Sequence, residues 1–377
     1  CKGLFFEGKK KMKKVLLGLL MATALTACGE KAEAPKENEK PVVKIGATLP
    51  LTGNLAVYGK ALQKSLELAI QDTNPENLKY TYEIVVEDDQ YDLKKALINL
   101  NRMKSVDDIN AVMSFWGNIG TLVSEWSDKN KVIHMSCAAS DKVGKGYYNF
   151  NHATQPQSLL QRILKYYKDN NFKKIGITYL QALEMQEFID HFVPTLENNG
   201  FEVVFVTSFN PAEKDFKTEI LKMKEKQPDV VEVLMNSPAI NIFGKTSKEL
   251  GFDVPMTSIN NMTDALEEYE GQTFVTEDSG KSPFTEHFEK VTGTPQTACV
   301  VNFYDGLNML INAYEKTPVR EGKKVPDNED VVKTLLDIEN NGFISVIDQI
   351  NMDKEGNIDS PAVLKRIING KPTTVEK

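Results

Sequence analysis

The stretch that decides the fold is Lys44–Asn74, KIGATLPLTGNLAVYGKALQKSLELAIQDTN. It continues an apolar, β-branched run, Val42–Leu51, that reads as a strand. A turn follows. From Gly59 to Asp72 the period changes, and Leu62, Leu66, Ala69 and Ile70 fall on one helical face. A strand feeding an amphipathic helix is the opening unit of a parallel α/β sheet.

The alternation continues outward. Strands are expected at Tyr80–Glu87, Ile109–Phe115 and Val132–Ser136, with helices at Asp92–Met103 and Thr121–Asp128 between them. Around Asn149–Pro156 the rhythm pauses, then restarts with a helix at Leu159–Tyr167 and a strand at Lys174–Tyr179. A helix over Glu187–Leu196 contains Pro194, which should end or kink it. Phe201–Thr207, Asp229–Met235 and Pro255–Ile259 read as strands, and Phe216–Lys224 and Ile240–Leu250 as helices. Three helices (Pro283–Val291, Val300–Tyr314 and Glu329–Leu336), a strand-like stretch at Phe343–Asn351 and a short tail complete the chain. The fold class is therefore α/β, with two doubly wound parallel-sheet lobes of similar size. A length of 377 residues also favours two domains over one core.

Composition narrows the function. Hydrophobic residues at 41% and charged residues at 26% suit a globular body. A net charge of −8 argues against a nucleic-acid partner, since phosphate contacts need a Lys/Arg surplus. Of the four cysteines, only Cys137 and Cys299 fall within the expected body; a disulfide between them is open, and two buried free thiols is the favoured reading. No cofactor or metal is implied. The chain lacks a G-x-x-x-x-G-K-[ST] loop, a G-x-G-x-x-G after the first strand, a G-x-S-x-G elbow and an H-E-x-x-H pair. His134, His152, His191 and His287 are scattered, and the pair Asp88–Asp89 reads as solvated acids at a strand end rather than acid/base groups. These absences disfavour an enzyme.

The N-terminus reads as an address. Lys9–Lys14 is basic, Val15–Leu25 is apolar and too short to span a bilayer comfortably, and small residues lead to Cys28. Residues 1–28 are thus read as the signal-peptide segment; Met12 is its natural start, and residues 1–11 are expected to be a misassigned start or vector sequence. Leu25-Thr26-Ala27-Cys28 resembles a bacterial lipobox, which implies cleavage before Cys28 and lipidation of its thiol. Residues 29–41 are rich in Glu, Lys, Pro and Ala and read as a flexible tether.

Several segments, in order, resemble the type I periplasmic substrate-binding proteins of the branched-chain amino-acid (leucine-binding) group. Pro50-Leu51-Thr52-Gly53, Tyr58-Gly59 and the helix end at Asp72–Asn74 match its opening. Glu87-Asp88-Asp89 through Ala96, Val132–Ser140, Pro211–Phe216, Phe303-Tyr304-Asp305 and Asp353–Asn357 match later segments, so the resemblance covers about residues 42–372. It implies two lobes joined by a three-crossover hinge that closes over ligand, a cleft beyond the carboxyl ends of the strands, and an ABC permease as partner. The lobes would be 42–153 plus 283–350, and 154–282 plus 351–377. The chain would be an exported, membrane-anchored monomer.

Site residues follow from the same resemblance. Tyr58 matches an aromatic at the cleft edge, or else caps its helix. Phe115-Trp116-Gly117-Asn118 matches a loop where leucine-type members place a serine against the ligand carboxylate. Here the N–H groups of Gly117 or Asn118, or the Asn118 amide, would substitute, with Trp116 as a wall or a core residue. In Ser136–Ser140, Ala138 would supply a carbonyl, Ala139 lies beside it, and Ser140 would supply its hydroxyl and N–H, or else serve as a helix N-cap. Glu184 stands where many members carry a tyrosine; it would hold a cation, or sit solvated at a helix start. Asn236 and Ser237 should face the cleft. Asn260 replaces the acid that leucine-type binders use for the α-ammonium, so either Glu184 takes that role or the ligand is not an α-amino acid. The ligand is therefore left as a small polar molecule. A ligand-sensing module of the same fold acting with a partner receptor is the alternative, disfavoured because no signalling domain is read after the body; an exported enzyme on an α/β scaffold is the weaker one, for want of a nucleophile or metal set.

Overall fold

A computed structural model describes residues 40–73, 75–140, 142–181, 183–259, 267–277, 282–338, 343–347 and 351–376. The run after Pro41 forms β1 (Val42–Leu49), whose last five residues are all buried. Such unbroken burial belongs to a parallel strand covered on both faces. Helix α1 (Ala56–Asp72) follows and buries Leu62, Leu66 and Ala69 as the period requires. Gly59 is obligatory in it: a Cβ there would lie 2.2 Å from the Pro50 carbonyl oxygen.

β2 (Thr81–Asp88), α2 (Leu93–Arg102), β3 (Ala111–Phe115), α3 (Gly117–Asn130), β4 (Ile133–Cys137) and β5 (Asn149–His152) continue the first lobe. β1 lies between β2 and β3, all parallel, with Ile45 opposite both Ile84 and Ala111. Asp92 caps α2, its carboxylate accepting the Lys95 N–H at 2.9 Å. The pause expected around Asn149–Pro156 holds strand β5, whose four residues are all buried.

The second lobe runs through α4 (Pro156–Asp169), β6 (Lys174–Leu180), α5 (Leu183–Asn198), β7 (Glu202–Phe209), α6 (Lys217–Glu225), β8 (Val230–Leu234), α7 (Ala239–Glu249), β9 (Met256–Thr257) and β10 (Thr273–Glu277). Its parallel sheet has the order β7-β6-β8-β9. Pro194 neither ends nor shortens α5. Pro194 and Asp190, whose carbonyl loses its i+4 donor, both lie on the exposed side, where the lost bond costs least.

The chain then returns to the first lobe as α8 (Ser282–Thr292), α9 (Val300–Lys316) and α10 (Asn328–Leu336). Gly306 lets α9 lie against β4, since a Cβ there would meet Met135 Cγ at 2.9 Å. Two short strands, β11 (Asn351–Met352) and β12 (Asn357–Asp359), extend the first sheet to the order β11-β12-β5-β4-β3-β1-β2. β13 (Ala362–Ile368) and β14 (Lys371–Glu376) form a hairpin beside β10 in the second lobe. An isolated bridge, Ile259 to Val275, joins that three-stranded sheet to β9. The chain thus passes between the lobes after β5, after β10 and after β12.

Three expectations are corrected. The division at 350/351 moves to after Asp359, because Ala153 N–H bonds the Ile358 carbonyl at 3.2 Å and Ile358 is buried in the first core. The strand-like stretch Phe343–Asn351 is irregular over 343–347: the Asp305 carboxylate takes the Val346 N–H at 3.1 Å and the Ser345 hydroxyl, replacing a ladder. Cys137 and Cys299 are not free thiols but a disulfide, their Cα atoms 6.0 Å apart. Burial of both was foreseen; the packing of α9 on β4, which brings them together, was not readable from spacing. The segments expected to be a signal peptide and, apart from residues 40–41, a tether lie outside the described residues, as does Cys28.

Candidate functional site

The parallel strands of each lobe end on the same edge, and the functional loops leave from those ends. At the end of β2, Asp88 gathers the loop after β1. Its carboxylate accepts the N–H groups of Leu51 (2.9 Å), Thr52 (3.2 Å) and Gln90 (3.1 Å) and the Thr52 hydroxyl (2.6 Å). Burial alone would raise this carboxyl; the bonds from Thr52, Gln90 and Leu51 outweigh it and hold it below the usual range. Asp89 is fully buried and accepts the Thr48 hydroxyl at 2.9 Å and the Tyr91 N–H at 2.7 Å. Its burial wins, and its carboxyl is raised. The reading of this pair as solvated acids is therefore corrected: both organise loops.

At the end of β3, Trp116 turns the chain into α3 with φ 66° and ψ 167°. Its N–H donates to the Cys137 carbonyl at 3.0 Å. Its ring stacks on Phe115 at 4.7 Å and meets Tyr58 and Tyr91 at 5.6 Å each. Trp116 therefore forms part of an aromatic wall. Gly117 sits against Ser140, whose Cβ would be 3.5 Å from an added Cβ. Asn118 and Ala139 are exposed. The Ala138 carbonyl is buried and already accepts from Asn151 Nδ2 at 2.8 Å and from the Ser140 N–H at 2.9 Å, so both its lone pairs are engaged here. The Ser140 hydroxyl accepts the Lys142 N–H at 3.3 Å, and no helix follows within residues 142–148.

From the second lobe come Leu180 at the end of β6, Pro211 after β7, and Asn236, Ser237 and Pro238 between β8 and α7. With Asn54, Leu55, Val57, Tyr58, Trp116 and Ala239 they line one pocket of about 510 Å³. Of the expected residues, the pocket unites Tyr58 and Trp116 from the first lobe with Asn236 and Ser237 from the second. Gly117, Asn118, Ala138, Ala139 and Ser140 lie on the adjoining loops and not in its lining. Glu184 falls in the first turn of α5, but its side chain, like Asn260, lies outside the described residues.

The pocket has an electrostatic signature that residue types alone do not reveal. The N-cap residues of α1 (Leu55), α3 (Trp116) and α7 (Pro238) all line it. None of these helices has a side-chain cap, and none has an acid in its first turn. Three positive dipole ends without a side-chain cap thus converge on one space, which favours an anionic group such as a carboxylate. Asn54 and Leu55 escaped sequence reasoning because a short loop before a helix carries no distinctive side chain, and Val57 because it is a single exposed apolar residue in the first turn of α1. Among the described residues, no cluster of His, Cys, Asp and Glu could hold a metal ion.

Two parallel-sheet lobes, three crossings and a pocket between strand ends define a solute-binding fold of the type I periplasmic class. The chain belongs to the periplasmic binding protein family, whose profile matches residues 42–370. The Leu/Ile/Val-binding protein BraC3 of Rhizobium johnstonii is 23% identical over 319 residues, 75% of this chain and 85% of that protein. Leu/Ile/Val-binding protein homolog 3 of Brucella melitensis is 24% identical over 199 residues, 50% of this chain, and is itself matched over 53% of its length. Among solved structures, the branched-chain amino acid transporter substrate binding protein LivJ of Streptococcus pneumoniae, in complex with isoleucine, superposes with a TM-score of 0.75 at 20% identity. That match covers 89% of this chain and 100% of that one.

Proposed function

We propose that this protein is an extracytoplasmic solute-binding lipoprotein of an ABC importer, which takes a small carboxylate-bearing polar molecule, an amino acid or a related organic acid, between its lobes. The observation that carries this reading is the convergence of three uncapped helix N-termini on a pocket lined from both lobes. The aromatic wall of Tyr58 and Trp116 gives an apolar surface for the rest of the ligand. The Rhizobium relative is named for binding Leu, Ile and Val, and the Streptococcus neighbour holds isoleucine, which puts these amino acids first among candidates. Asn236 and Ser237 offer polar contacts from the second lobe; Gly117, Asn118 and Ser140 would join when the lobes close, and Glu184, in the first turn of α5, and Asn260 are further candidates.

In this reading Cys28 carries the lipid that tethers a monomeric body to the membrane, residues 29–41 supply the reach, and an ABC permease accepts the ligand. No chemistry on the ligand is required. A thermal-shift screen with amino acids, amides, organic acids and nucleosides tests it. Carboxylate-bearing compounds should raise the melting temperature and be recovered unchanged. Turnover of any hit, or shifts confined to compounds without a carboxylate, would overturn it.

A further inference from the structure

Beneath the first-lobe wall of the pocket lies the Cys137–Cys299 disulfide. Cys137 ends β4 and runs directly into the Ala138–Ser140 loop. Its carbonyl accepts the Trp116 N–H at 3.0 Å, so it also fixes the backbone of the pocket tryptophan. Cys299 is the N-cap of α9, in the left-handed region at φ 66°. The Cys299 N–H donates to Glu277 Oε1 at 3.1 Å, and Glu277 is the last residue of β10 in the second lobe. One covalent bond thus joins the loop beside the pocket to the start of a first-lobe core helix, and a hydrogen bond from that helix start continues the link to the strand that leads into the second crossover. Both cysteines are buried, at 1% and 6% exposure.

We infer that Cys137–Cys299 is a positioning pair for solute binding: it holds Trp116 and the Ala138–Ser140 loop in the arrangement the ligand meets, and ties that arrangement to the hinge. The inference rests on the pocket being the solute site. The other tie on Ala138 is Asn151, which bonds both its N–H (3.0 Å) and its carbonyl (2.8 Å). Asn151 belongs to the neighbouring strand β5, so it fixes the loop to the sheet but not to α9 or to the hinge. A disulfide with a general stabilising role acts mainly on the unfolded chain, here across a sequence separation of 162 residues, and leaves native loop motion unchanged. The two roles therefore differ in native-state readouts.

The test compares the oxidised full chain with Cys137→Ala/Cys299→Ala by hydrogen exchange. Amides of residues 116–120 and 138–140 should exchange faster in the variant, while β6 and β8 keep their protection. In a Trp126→Phe background Trp116 is the sole tryptophan, and its quenching by acrylamide should rise when the disulfide is lost. Isothermal titration with L-isoleucine as probe should show affinity weaker by about tenfold, the cost of ordering one further backbone residue on binding. A lower melting temperature with unchanged exchange and quenching would overturn the inference. If the double variant does not fold, the wild-type chain, reduced under native conditions and alkylated, takes its place with the same readouts. Failure of the oxidised chain to bind isoleucine counts against that ligand, and exchange and quenching then decide the positioning role alone.

Discussion

Trp116 pairs a strained backbone with a tightly packed ring. Its φ of 66° and ψ of 167° lie in a region reserved almost wholly for glycine, at a cost of about 1–3 kcal/mol. Contacts with Phe115, Tyr58 and Tyr91 and the bond to Cys137 hold it there. Strain of this kind collects at ligand sites. Sequence resemblance brought Trp116 to the pocket, but its conformation was illegible, since no local pattern announces a positive φ at tryptophan. Asp88 and Asp89 show the same limit. Their bonds to Leu51, Thr52 and Thr48 cross 36 to 41 residues, so a local reading saw only two acids at a strand end.

His134 gives a residue-scale prediction. It is buried between Ser114 Oγ, 2.7 Å from Nε2, and Asn149 Oδ1, 2.9 Å from Nδ1. Burial lowers its pKa from 6.5 to about 4. Between those values the unfolded chain takes up a proton that the folded chain refuses. Its contribution to stability is therefore complete above pH 6.5 and is lost as pH falls toward 4, at about 1.4 kcal/mol per unit. Urea titrations across this window should show His134→Gln with a pH slope shallower by about that amount. An unchanged slope would mean that His134 takes up its proton within the fold.

At the scale of elements, helices and strands were legible where their period ran long. α1 and α9 each bury a long, mainly apolar face, and β1 is buried along its last five residues. β5 was missed because its residues are Asn149, Phe150, Asn151 and His152, whose polar side chains are satisfied or enclosed by tertiary neighbours. Asn151, for instance, clasps Ala138 through both its amide atoms. Helix ends matter most for function. Asn118→Asp would place a negative charge in the first turn of α3, where the dipole stabilises it by about 0.3–1 kcal/mol. The variant should melt at a higher temperature when empty and bind a carboxylate ligand several-fold more weakly. Equal or tighter binding would separate α3 from the ligand's charge.

At the scale of the molecule, the alternation of strands and helices revealed two α/β lobes, and their family order implied the hinge. The exact return points were hidden. β11 and β12 are two and three residues long, too short for a period, and they join the first sheet only through pairing with β5 and each other. The half-site on each lobe is likewise incomplete: Tyr58 and Trp116 stand on one, Asn236 and Ser237 on the other, and they share one pocket. A site split in this way must lose affinity when either half is damaged. Isothermal titration calorimetry of the full chain against L-isoleucine and any compound found by thermal shift, with Trp116→Ala and Asn236→Ala alongside, tests this most directly. The account predicts saturable one-to-one binding of a carboxylate-bearing solute, weakened about tenfold or more by each substitution. A ligand that binds with the same affinity in both variants would contradict it.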